Sequence, residues 1–345
     1  MRRKNFIAIV MVLTMSLGVV STGADTSEES LQPTVVPIPG GEGGIGFDDM
    51  RFSPDLHKVL VPAERTGKIF LIDPQTFVMT SIDGFTSAPP DRKGHVGTTS
   101  VDEDQGFIFT ADHATQKLIV VDVKTGTVLL AVPLAGDADY VRYVKETEEI
   151  WVTELREQQI EVLTFLKGKE IVVSHKMFIP VPGGPEDLIV DHSRRRAYTH
   201  LWKGVTVEID LRTHAILAQW PNGCQTSHGM ALDEQKGFLF VGCDEGKAAV
   251  LDINQNGKQL SSLSTGAGVD VMSYNSALAH LYLTGSVSAT VSIFDVSEKG
   301  ELSLLGVGPA ANRSHCVVGD DQNNLWVCDP EHGQLLRYKD TFPKS

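Results

Sequence analysis

Residues 233–242 read DEQKGFLFVG, and residues 102–111, which lie 131 positions earlier, read DEDQGFIFTA. A chain that writes one short segment twice over that distance is assembled from repeated units. The unit shows itself in a strand-like run that ends on aspartate. KIFLID ends at Asp73, KLIVVD at Asp122, VTVEID at Asp210, AAVLD at Asp252 and VSIFD at Asp295. Two weaker copies end at Thr164 (QIEVLT) and Tyr338 (LLRY), and the successive gaps are 49, 42, 46, 42, 43 and 43 residues. No segment holds a helical period of 3.6. Short runs of Val, Ile, Leu and Phe alternate with Gly, Asp, Asn and Pro, which is the pattern of strands and turns.

Seven units of this length, each with room for four strands, predict an all-β fold, a seven-bladed β-propeller with four-stranded blades. The two decapeptides are then one hairpin, between the first and second strands of blades 2 and 5. The last unit has candidate strands near 315–319, 325–328 and 335–338, and then the chain ends. VVPIPGGEGG at 35–44 resembles MFIPVPGGPED, the fourth-strand run at 177–187. The mature N-terminal strand is therefore expected to complete blade 7 and close the ring, leaving no exposed edge there.

Within a unit, FIFTADHATQKLIVVDVKTGTVLLAVPLAG (107–136), LYLTGSVSATVSIFDVSEKGELSLLGVG (281–308) and WVTE (151–154) resemble the YVTN-repeat β-propeller family, within the quinoprotein amine dehydrogenase-like propeller superfamily. The resemblance implies a shared scaffold, and one scaffold hosts many activities. The Asn of that motif is absent; Asp112, Glu154, His200 and Gly285 stand at or near its place.

The first 24 residues read as a signal peptide: Arg2, Arg3 and Lys4, then an apolar run over 6–20, then Ser21, Gly23 and Ala24. Residues 25–345 are expected to form a single propeller domain, secreted or periplasmic, with no integral membrane segment. The formal charge is −14, and residues 1–24 carry three cations and no carboxylate, which leaves −17 on the remainder. Such a surface repels phosphate backbones, so nucleic acid is not an expected partner. A small molecule or a protein is, and the chain is expected to be a monomer. The four cysteines suit two disulfides in an oxidising compartment, and strand geometry favours Cys224–Cys243 and Cys316–Cys328. CQTSH (224–228) and SHC (314–316) leave a rival reading open, thiolates beside imidazoles as metal ligands.

The first strand of each blade lines the central channel. Aligning blades on the hairpin position of Asp191, Asp233 and Asp320 places Glu186, His228 and His315 five residues earlier. The same offset yields Asp270, Asp139 and Asp48, while blade 2 gives Gly97 with His95 two residues before it. These residues are expected to converge at the channel mouth as a ligand-binding funnel, because carboxylates held close together must bind a proton or a cation. Glu186, His228, Asp270 and His315 form a candidate first shell for a divalent metal; a carboxylate-only subset suits calcium. Loops on the same face add His200 and Trp202 as candidate ligand contacts, with Asp112, Glu154 and others as a charged rim. A wet channel that binds only water remains the alternative.

Other motifs lapse. GGEGGIG at 40–46 reads as a flexible loop between strands, since no helix follows it for a nucleotide. DINQNG at 252–257 lacks the Glu of a calcium loop and reads as a turn. RRR at 194–196 falls on a solvated hairpin. No haem motif occurs. The expected function is an exported binding module, for a small ligand or metal in the funnel or a protein on a face. The alternative is a metal-dependent hydrolase or lactonase, with Asp48 or Asp139 as general base; an oxidoreductase rests on fold analogy alone.

Overall fold

The computed structural model describes residues 31–90 and 96–344; the expected leader and His95 lie outside them. Strand β1 (Thr34–Pro37) comes first. Blade 1 is β2 to β5 (Arg51–Ser53, Lys58–Pro62, Thr66–Ile72, Met79–Ser87) and blade 2 is β6 to β9 (Thr98–Asp104, Phe107–Asp112, Lys117–Asp122, Thr127–Pro133). Blade 3 is β10 to β13 (Val141–Val144, Glu149–Glu154, Gln159–Lys167, Ile171–Pro180) and blade 4 is β14 to β17 (Glu186–Asp191, Arg196–Leu201, Val205–Asp210, Ile216–Pro221). Blade 5 is β18 to β21 (Ser227–Asp233, Phe238–Cys243, Lys247–Asp252, Lys258–Ser264) and blade 6 is β22 to β25 (Met272–Asn275, His280–Gly285, Thr290–Val296, Leu302–Pro309). Blade 7 is β26 to β28 (Val317–Gly319, Asn324–Asp329, Gln334–Lys339), and β1 pairs antiparallel with β28 as its outer strand. This is the seven-bladed propeller with the closure expected from 35–44.

The repeated aspartates have a local cause. Carboxylates of Asp73, Asp122 and Asp210 each accept the amide of the residue three positions on, at 2.8 Å, so each ends a strand and starts a turn. In the hairpins between first and second strands, Asp191 and Asp233 do the same for Arg194 and Lys236, at 2.9 Å. At 252–257, Asp252 accepts the amide of Asn254 and caps a single 3-10 turn, Ile253–Gln255.

Second and third strands are apolar on both faces because each blade packs on two neighbours. On β3, Val59 and Val61 join a cluster with Trp326 and Leu335 of blade 7, while Leu60 joins Val101 and Ile108 of blade 2. Phe109 then packs with Val141 and Ile150 of blade 3. The same alternation continues round to Tyr282, Val317 and Leu325 between blades 6 and 7. Core thus lies in wedges between sheets, leaving the inner strands free to line a channel.

Two expectations are corrected. The glycine-rich loop is tied down: Arg65 donates to the carbonyls of Gly41, Glu42 and Gly44, and the amide of Gly46 donates to Glu64 Oε2. Of the three arginines at 194–196, Arg194 pairs with Asp191, and Arg196 pairs with Glu208 and Asp210; of the three, Arg195 alone is exposed.

Candidate functional site at the channel mouth

Bulges in the first strands aim the mouth residues. Register shifts occur between Glu186 and Ile189 in blade 4 and between Ser227 and Met230 in blade 5. A bulge adds a residue to one strand and turns its side chains. In blade 4 it lets the consecutive residues Glu186 and Asp187 both contribute to the channel. Asp187 holds a positive φ of 57°, and Thr199 Oγ1 on β15 donates to its carbonyl at 2.7 Å. Gly229 brings β18 onto the neighbouring chain: a Cβ there would lie 1.8 Å from the carbonyl oxygen of Asp270. That approach sets His228 beside Asp270. In blade 2 a Cβ on Gly97 would lie 2.3 Å from the carbonyl of Glu64, which is why no acid occupies that position.

The result is a compact group. His228 Nδ1 lies 3.5 Å from Glu186 Oε1 and 3.7 Å from Asp270 Oδ1, and the three donor atoms all lie within 4.8 Å of one another. Burial works against a charge on His228, but contacts with Asp270 and Glu186 outweigh it and push the imidazole up to about 10. Asp270 is only partly buried; that burial would raise it, yet His228, with help from His315, holds it below the ordinary carboxylate range. Asp48 and Asp139 face the same space with no ion pair of their own among the described residues. Burial raises both well above the usual range, and Asp270 and Glu186 raise them further.

Trp202 joins this group. Its indole N–H donates to Glu186 Oε2, its ring stacks on His228 at 6.3 Å and 22°, and it stays 47 % exposed. His200, expected on the open funnel, is instead fully buried. It pairs with Glu186 across β14 and β15, and its Nδ1 lies 3.1 Å from Thr206 Oγ1. Its Nε2 has no partner among the described residues. Burial first, and then the charge of His228, lower it to about 3. His315 is at the mouth, but its Nδ1 is 2.8 Å from the Arg313 carbonyl and its Nε2 is 2.6 Å from the Phe47 carbonyl.

The expected charged rim is partly a set of buried caps. Asp112 accepts the Thr86 amide at 3.0 Å, and Glu154 accepts the Gly136 amide at 2.7 Å. Both carboxylates are buried; Asp112 holds the end of the outer strand of the previous blade and Glu154 holds the loop arriving from it. The cysteines form Cys224–Cys243 and Cys316–Cys328, so the thiolate-ligand reading lapses. These disulfides lie in the two blades that bring histidines to the mouth.

A second layer escaped the sequence alignment. Arg142 reaches across to Asp49, with Nη1 at 2.5 Å and Nη2 at 3.2 Å, and its Nε donates to the Leu188 carbonyl at 2.8 Å. Asp187 lies 3.8 Å from Nη2. Burial pushes Asp187 up to about 6 even though Arg142 pulls the other way. The doublets Asp48-Asp49 and Glu186-Asp187, and an arginine on an inner strand, were the available signals. This layer itself lines a channel cavity of about 260 Å³, together with Met50, Phe52, Leu188, Met230 and Met272 among others.

No helix among the described residues is long and apolar enough to cross a membrane, and the two disulfides are consistent with an extracellular location. No family model matches the sequence, and no curated protein matches it. The fold is similar to a chain in the crystal structure of a mitotic checkpoint complex, with TM-score 0.74, 12 % identity, and 96 % of this chain and 99 % of that one covered. It is similar to a streptogramin B lyase, with TM-score 0.70, 12 % identity, and 91 % and 99 % covered. It is also similar to the Cps50 (Swd1) β-propeller domain of Myceliophteria thermophila, with TM-score 0.70, 12 % identity, and 90 % and 100 % covered. At that identity the likeness establishes the β-propeller fold and leaves the chemistry to the chain's own residues.

Proposed function

We propose that this protein is an exported binding module whose channel mouth holds a small, positively charged ligand. The observation that carries the reading is the convergence of Asp48, Asp139, Glu186 and Asp270, with the first two pushed well above the usual carboxylate range. Acids that crowd one another with limited access to bulk water gain most when a cation enters. The leader-like N-terminus and the net charge of −14 support export and steering of cations. The YVTN-like strand pairs support a place among YVTN-repeat propellers. A broad propeller face also suits docking of a protein partner.

The test is calorimetric titration of the protein, stripped of metal, with Zn²⁺, Mn²⁺, Ca²⁺ and n-butylammonium, and with acetate as the anionic control. Saturable binding of at least one cation is expected, weakened at least tenfold in a D48N/D139N double variant. No cation binding by the folded protein would sink the reading. A second reading, a metal-dependent hydrolase, draws on the same pair: a carboxylate whose proton affinity is raised by burial and neighbouring acids is suited to accept a proton from water. Turnover in a lactone and ester screen that is lost in Asp48→Asn or in Asp139→Asn would favour it.

A further inference from the structure

We propose that the cation at the mouth is a divalent transition-metal ion held by Glu186 Oε1, His228 Nδ1 and a carboxylate oxygen of Asp270; this rests on the reading of the mouth as a cation site. Three geometric observations support it. The donor atoms come from three blades yet lie within 4.8 Å of one another, close enough for one ion to bond all three at about 2.0–2.2 Å with small side-chain movements. One imidazole and two carboxylates suit ions such as Zn²⁺, Mn²⁺ or Co²⁺ better than Ca²⁺, which takes six to eight oxygens. Next, the Trp202 indole N–H occupies Glu186 Oε2 and leaves Oε1 turned toward His228. An outer hydrogen bond of this type orients a metal-ligating carboxylate.

The third observation is His200. It is fully buried across from Glu186, and its Nε2 has no partner among the described residues. A buried polar atom without a partner is costly and points to a species beyond the protein's own atoms. Water carried by the ion is such a species. His315 is not a ligand in this assignment, because both its ring nitrogens already face backbone carbonyls. Asp48 and Asp139 balance the ion's charge from outside its ligand set.

The test is Co²⁺ titration of metal-stripped full-length protein, followed by visible absorption and tryptophan fluorescence, with n-butylammonium run in parallel. One Co²⁺ per chain is expected. Glu186→Gln, His228→Gln and Asp270→Asn should each weaken binding at least 100-fold, Trp202→Phe about tenfold, and His315→Gln less than threefold. Circular dichroism of the metal-free variants serves as the fold control. If any ligand variant fails to fold, the wild-type stoichiometry and His315→Gln still decide. Binding of n-butylammonium without Co²⁺ would overturn the metal and leave the cation reading standing. Binding of neither would overturn both. Wild-type Co²⁺ affinity in folded His228→Gln and Asp270→Asn would overturn the ligand assignment.

Discussion

Glu154 shows how one residue type at one repeat position takes different tasks. It is fully buried and holds the Gly136 amide, and so places the loop that leads to Asp139. Burial, with Glu161 as a close neighbour, pushes it up to about 7 from 4.5. The folded state therefore keeps a proton that the unfolded chain loses near 4.5. Its stabilising contribution is complete below that pH and fades as pH rises through 7, at most about 3 kcal/mol for a shift of this size. Chemical denaturation of wild type between pH 5 and pH 8 should show this slope, and Glu154→Gln should flatten it; an unchanged slope in the variant would remove Glu154 as its source. The mouth acids were legible in the sequence because a fixed offset from the hairpin aspartate finds them. Asp49 and Asp187 were not, because in a regular strand the residue next to a channel residue faces away, and Arg142 was not, because it lies three positions past the offset residue Asp139. In blade 4 a bulge, invisible to a period-2 reading, puts the neighbours Glu186 and Asp187 on the same side.

At the scale of the element, the threonine of the recurring second strand gains a reason. Thr110 donates to the Ser100 carbonyl at 2.6 Å, Thr199 to the Asp187 carbonyl, and Thr153 accepts the Tyr140 amide at 2.8 Å. Each braces the irregular start of its blade's first strand, where the ladder alone cannot satisfy the backbone. The closing strand β1 was legible from its likeness to the run at 177–187, because outer strands share a burial pattern. Leu31 and Ile38 flank it, buried against blade 7 and its neighbours, and Val36 within it is partly buried. Deleting residues 31–38 removes about two to three buried apolar side chains and bares the β28 edge. A loss of about 5 kcal/mol is expected, read as a lower thermal midpoint and a greater tendency to aggregate. A midpoint unchanged by the deletion would mean that blade 7 is complete without β1.

At the scale of the molecule, the ring converts residues far apart in sequence into one site. Asp48 and Asp270 influence one another across more than two hundred residues because blade 7 meets blade 1. Beneath this acidic mouth, Arg142, Asp49 and Asp187 line a cavity of mixed polar and apolar character. Repeat period, strand count and disulfide pairing were legible because each is set by local chemistry that recurs. The fate of His200 and the caps at Asp112 and Glu154 were not, since burial there depends on the loop delivered by the preceding blade. The most direct measurement is an anomalous difference map from crystals of the full chain grown with Co²⁺. A single peak on the mouth, within bonding distance of Glu186, His228 and Asp270, is the predicted result; a mouth free of anomalous density, or those side chains turned away from the channel, would contradict the account.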